Sequence, residues 1–205
     1  MLRVRHFHER MAEHGRVIAS AVEAFEAARA SYALAGGHAV SLYTKPRVTV
    51  DADFLVAKRD LPRLRRALEK SGHRLRKVGD AIRAFGPGED PVGSEAALDL
   101  LPAEAHPVWK GALESAVEAT YAGTRLRVVR RSALVAMKFA AAGSTDRPRE
   151  DRLVDLSDLI RILRSGLPRE EEREARELAA RAYRGAAADF EKLIDDLRHD
   201  RPVTL

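Results

Sequence analysis

The spacing of apolar side chains changes twice along this chain, and the changes predict its elements. Residues 15–29 repeat apolar positions at intervals of three and four, the period of a helix. "YALAG" (32–36) reads as a short strand, and "HAVSLYT" (38–44) as a helix opening directly behind two glycines. In "DADFLVA" (51–57) the period drops to two, which predicts a strand, and a helix follows from about Asp60 to Gly72. "HRLRKV" (73–78), "AIRAF" (81–85) and "EAALDLL" (95–101) predict three more strands between Gly, Pro and Asp turns. A helical segment around Trp109 precedes a strand at 116–121, a glycine turn and the strand "TRLRVV" (124–129). From Ser132 onward only helical spacing remains, over 133–142, 151–164, 169–183 and 186–198.

This order predicts an α/β (α+β) fold: a mixed β-sheet flanked by helices and followed by a C-terminal helical annex. The expected division is an α/β domain over residues 1–143, with a basic N-terminal arm, and a helical region over 144–205. Gly143 to Pro148 is the boundary between them.

Composition narrows the class. The chain has 205 residues, 45% hydrophobic and 33% charged, as expected of one folded domain with a small annex. It has no cysteine, so disulfides and thiolate metal sites are excluded. No apolar run approaches the roughly 18 residues of a membrane span, and the basic start "MLRVRHFHERMAEHGR" lacks the apolar stretch of a signal peptide. A cytoplasmic protein without membrane contact is expected. The three histidines of "HFHERMAEH" read as part of a frayed arm rather than a metal site.

The net charge of +5 is uneven. Residues 58–77 hold 9 basic and 2 acidic residues, whereas the chain from Arg169 onward holds 8 basic and 10 acidic. Such a basic segment is either a solvated helix face or an attractor of polyanions.

Chemistry concentrates at a few positions. In a strand Asp51 and Asp53 share a face, with Ala52, Phe54 and Val56 on the other. Two carboxylates that close repel unless a cation lies between them, and Mg²⁺ favours oxygen ligands. Asp99 is a third carboxylate, isolated in an apolar run and costly there without a partner. Gly36 and Gly37 stand at a strand-to-helix junction, where backbone can approach a phosphate or simply turn tightly. His38 follows, in reach of a phosphate or with no role.

The run "ALVAMKFAAA" (133–142) is apolar on every face except for Lys138. A buried ammonium requires an anion, either a protein carboxylate or a nucleotide phosphate. In 151–164, Leu153, Leu156, Ile160 and Leu163 form the expected buried stripe, with Asp151, Asp155 and Asp158 opposite. Ile162 falls among those aspartates and hints that their side is partly covered.

Five segments in order carry a resemblance: "GGHA" (36–39), "RVTVDADFLV" (47–56), "LDLL" (98–101), "VAMKFAA" (135–141) and "DRLVDLSDLI" (151–160). Together they resemble the AbiEii/MenT-type minimal nucleotidyltransferases of the DNA polymerase β superfamily, found in bacterial toxin–antitoxin and phage-defence systems. The resemblance implies that Asp51, Asp53 and Asp99 hold Mg²⁺ or Mn²⁺, with Asp99 also a candidate base. It implies that Gly36, Gly37, His38, Arg47, Thr49 and Lys138 serve an NTP, and that Asp155 or Asp158 fills a late acidic motif. Where superfamily members commonly carry serine after the glycine, this chain has His38. The implied partners are an NTP, an RNA acceptor such as a tRNA, and a cognate antitoxin protein. Transfer to a small molecule and a non-catalytic, nucleotide- or partner-binding role are the alternatives.

Overall fold

The computed structural model describes residues 2–47, 49, 51–86 and 97–203, with side chains from Gly15 onward. Helix α1 (Leu2–Ala27) leads through β1 (Tyr32–Leu34) and α2 (Gly36–Tyr43) to β2 (Ala52–Val56). Then come α3 (Leu61–Lys70), β3 (Arg74–Val78), β4 (Ala81–Phe85) and β5 (Leu98–Pro102). After α4 (Pro107–Glu114), β6 (Val117–Tyr121) and β7 (Thr124–Val128), the chain ends in α5 (Arg131–Gly143), α6 (Arg149–Arg164), α7 (Arg169–Ala179) and α8 (Ala186–Arg198).

The strands form one mixed sheet in the order β3-β4-β5-β2-β1-β7-β6. β2 runs parallel to β5, and β1 parallel to β7; the other pairs are antiparallel. The alternation in β2 sets its faces as expected: Ala52, Phe54 and Val56 are buried on one side, where Phe25 of α1 meets Phe54 edge-on at 5.0 Å between ring centroids. Helix α3 packs beside α1. Helix α5 packs against α2, α4, α6 and α7, which accounts for its apolar character all round. One continuous core runs from Phe25 and Phe54 through Leu100 to Phe139 and Phe190.

Three expectations need correction. The N-terminal segment expected as a frayed arm continues the backbone of α1 from Leu2. It contains no proline, and Gly15 lets the helix cross close to Ala122, whose Cβ would lie 2.9 Å from a Cβ at that position. The side chains of His6, His8 and His14 lie outside the described residues, as do Glu95 and Ala96 at the start of the expected third strand.

The second correction concerns α6, whose buried face is Asp155, Asp158, Leu159 and Ile162, while Leu153 and Val154 are 55% and 49% exposed. The hint from Ile162 outweighs the apolar stripe, because charged partners wait on the core side. The helix expected to reach residue 183 ends at Ala179, and Gly185, with φ +96°, caps the start of α8. Among the described residues no helix is long and apolar enough to cross a membrane.

Candidate active site

The parallel register of β2 with β5 sets Asp53 directly beside Asp99. Asp51 precedes β2 by one residue, and oxygens of Asp51, Asp53 and Asp99 all lie within 4.8 Å of one another. The crowding has an electrostatic cost. Desolvation, then the charge of Asp51, raises the Asp53 carboxyl to about 7, against the pull of Lys138. Burial raises Asp99 as well, opposed by Arg83. Asp99 Oδ1 is buried and accepts no hydrogen bond; the Arg83 Nε stands 3.4 Å from it. Three hard oxygen donors, mutually repelling and one incompletely satisfied, fit a Mg²⁺ or Mn²⁺ ion chemically.

Gly36 opens α2 at φ +56°, a conformation that side chains other than glycine rarely adopt. A Cβ there would fall 1.7 Å from Asp53 Oδ2. A Cβ on Gly37 would fall 2.7 Å from Thr49 Oγ1 and 3.0 Å from an Arg47 guanidinium nitrogen. Both glycines therefore make room for side chains of the Arg47–Asp53 segment, in addition to any approach of a ligand to the helix start.

Lys138 is buried, as its apolar surroundings predict. Its ammonium donates to Asp155 Oδ1 at 2.7 Å and lies 3.0 Å from Asp158 Oδ2. In the structure, protein carboxylates supply the anion. Asp158 is also gripped by Arg47, whose Nε and Nη2 reach its two oxygens at 2.7 and 2.6 Å. Burial acts to raise the Asp158 carboxyl, but the hydrogen bonds and charges of Arg47 and Lys138 hold it below the usual range. Asp155 Oδ2 is buried without a hydrogen bond, with Arg147 3.3 Å away.

The site residues thus sort by place. Gly36, Asp53, Lys138 and Asp155 line one cleft, together with Trp109 and Arg147. Gly37, Arg47, Thr49 and Asp158 form a second group, in which Arg47 lies against both Gly37 and Asp158. His38 differs: its ring is buried, and its Nδ1 sits 2.6 Å from the Tyr121 hydroxyl at the end of β6.

Sequence reasoning missed Arg83, Trp109 and Arg147. The position of Arg83 depends on cross-strand register, and that of Arg147 on the turn between α5 and α6. Trp109 did carry a signal, as the single tryptophan of the chain.

A family described as "Nucleotidyl transferase AbiEii toxin, Type IV TA system" matches residues 19–202. The solution structure of the antibiotic-resistance factor ANT(2″)-Ia aligns with a TM-score of 0.51 at 21% identity, covering 91% of this chain and 95% of that one. Its crystal structure in complex with adenylyl-2″-tobramycin aligns with a TM-score of 0.58 at 20% identity, covering 82% and 98%. An antigenic nucleotidyltransferase-like protein from Paracoccidioides brasiliensis gives 0.58 at 15% identity, covering 91% and 93%. These likenesses establish the fold. No curated protein sequence matches the chain.

Proposed function

Because the chain belongs to the AbiEii nucleotidyltransferase family, we propose that it moves a nucleoside monophosphate from an NTP to a hydroxyl of a macromolecule, an RNA 3′ end first among acceptors. The observation that carries this reading is the in-register pair Asp53 and Asp99, joined by Asp51 within 4.8 Å. Asp51, Asp53 and Asp99 would hold Mg²⁺ or Mn²⁺, which supplies neutralising charge for the triphosphate and the departing pyrophosphate.

The chain's own groups do the rest. Gly36, lacking a Cβ, leaves the Asp53 carboxylate its place at the start of α2. Lys138 exchanges its contact with Asp155 for the triphosphate, and Arg147, beside Asp155 in the same cleft, follows it. Asp158 stays paired with Arg47 and keeps α6 against the cleft. Trp109 and Met137 form an apolar wall on which a nucleobase can stack. The acceptor oxygen forms a bond to the α-phosphorus, the bond to pyrophosphate breaks with its electron pair, and Asp99 takes the hydroxyl proton.

In this reading the chain acts in the cytoplasm as the toxin of a toxin–antitoxin pair, restrained by a cognate antitoxin. A second reading, transfer to a small molecule, draws on the fold shared with ANT(2″)-Ia, whose complex contains adenylyl-2″-tobramycin. Incubation of the protein and Mg²⁺ with each α-labelled NTP, separately with cellular RNA, cellular protein and tobramycin, tests both. Label in RNA supports the leading reading, label in tobramycin the second, and none in any pool contradicts transferase function.

A further inference from the structure

The cross-strand register determines which side chains an acceptor meets on its way to Asp99. Arg76 of β3 pairs directly with Arg83 of β4, Arg83 with Asp99 of β5, and Asp99 with Asp53 of β2. Directly paired residues stand on the same face of a sheet. The four therefore form one row across three inter-strand spacings of about 4.8 Å each. Arg74, two residues before Arg76, stands on that face too. The alternating Leu75, Lys77 and Ile82 face the other way, where they line a separate groove with Leu61 and Arg65 of α3.

The basic segment 58–77 is thus divided between the two faces. The α3 arginines lie across the sheet from the carboxylates, and Arg63 there engages Asp60 and the Arg29 carbonyl. Arg74 and Arg76 share the carboxylate face and are exposed. Arg83, between Arg76 and Asp99, has its Nε 3.4 Å from Asp99 Oδ1 and so joins the exposed arginines to the carboxylates. The Arg76 guanidinium also lies over the Phe85 ring, 5.3 Å from its centroid, which orients it.

We infer that this arginine row is the acceptor track: Arg74, Arg76 and Arg83 grip the phosphodiesters of a single-stranded RNA and lead its terminal 3′ hydroxyl to Asp99. The inference rests on the nucleotidyl-transfer reading for its destination, whereas the grip on phosphate stands on the register alone. The same row repels a polycationic aminosugar, which separates the two acceptor classes. A single strand fits better than a duplex, because the row is one line of cations ending at the point where a chain terminus must arrive.

The test is fluorescence anisotropy with a 5′-fluorescein single-stranded RNA carrying a free 3′ hydroxyl, titrated at several salt concentrations. The expected result is that Arg74→Gln/Arg76→Gln binds more weakly than the parent. Its log K against log salt should be shallower by about 0.7 for each phosphate that is no longer neutralised. Arg65→Gln/Arg66→Gln, on the opposite face, binds like the parent. The inference is overturned if the parent does not bind the RNA, if the Arg74/Arg76 variant binds equally well, or if the opposite-face variant is weakened as much. Row-dependent RNA binding without nucleotidyl transfer would contradict the proposed function alone. Transfer to RNA that ignores the row would contradict this inference alone.

Discussion

At the residue scale, the proposed chemistry rests on where one carboxylate is allowed to stand. A methyl group at Gly36 would overlap the Asp53 carboxylate, and the φ of +56° adds strain for any other residue. Gly36→Ala should therefore cost about 1–3 kcal/mol of stability and displace Asp53. Urea denaturation and isothermal titration with Mg²⁺ would register the two effects, and undiminished Mg²⁺ affinity would show that the close approach is incidental.

Asp53 itself makes a pH prediction. Its folded carboxyl sits at about 7 against an ordinary 3.8, because of desolvation and then Asp51. Between those values the folded protein keeps a proton that the unfolded chain has released. The stability of the metal-free protein should therefore fall as pH rises through this window and level off above it. Asp53→Asn should flatten that slope in thermal melts from pH 4 to 8; an unchanged slope would place its origin elsewhere. The paired aspartates are legible from alternation and charge alone. The steric reason for Gly36 is not, because it depends on a residue of a neighbouring element.

At the element scale, α6 shows how charge can outweigh an apolar stripe. The spacing of leucines points Leu153 inward, yet Leu153 is 55% exposed while Asp158 is 1% exposed. The helix turns its aspartates toward Lys138 and Arg47, which are supplied by α5 and by the segment before β2. No local period can reveal partners that far away in the chain. Asp158→Ala should cost about 3 kcal/mol, since it leaves the half-buried Arg47 without its carboxylate and Lys138 with Asp155 alone. Leu153→Ala should change stability by about 0.5 kcal/mol or less. Chemical denaturation of both variants decides the orientation, and a larger effect for Leu153→Ala would contradict it. The burial of α5 is legible from a run that is apolar on every face except for Lys138, because a helix covered on every side has no polar face to misassign.

At the scale of the whole molecule, a mixed sheet delivers three carboxylates to one face, and the helical second half supplies Lys138, Asp155 and Arg147 to the same cleft. The class of fold is legible in the order of periods. The parallel join of β2 to β5, on which the site depends, follows from packing and not from any local signal. Trp109 is the single tryptophan and lines the cleft, so its fluorescence reports on occupancy. An NTP with Mg²⁺ should change its emission and raise the melting temperature, by about 2.7 kcal/mol of stabilisation at a hundred times the dissociation constant. Lys138→Met should shrink that rise; an equal rise in both proteins would remove the lysine from the nucleotide site.

Whether the Asp51–Asp53–Asp99 cluster transfers the α-phosphoryl end of an NTP is decided by single-turnover labelling. Parent and Asp53→Asn would each be mixed with Mg²⁺, cellular RNA and either α- or γ-labelled NTP, after melting curves confirm that both are folded. The parent should label the acceptor from the α-label alone, and the rate for Asp53→Asn should be lower by about 10³-fold or more, as expected when a metal ligand of the reaction is removed. Labelling from the γ-position, or Asp53→Asn working as fast as the parent, would contradict it.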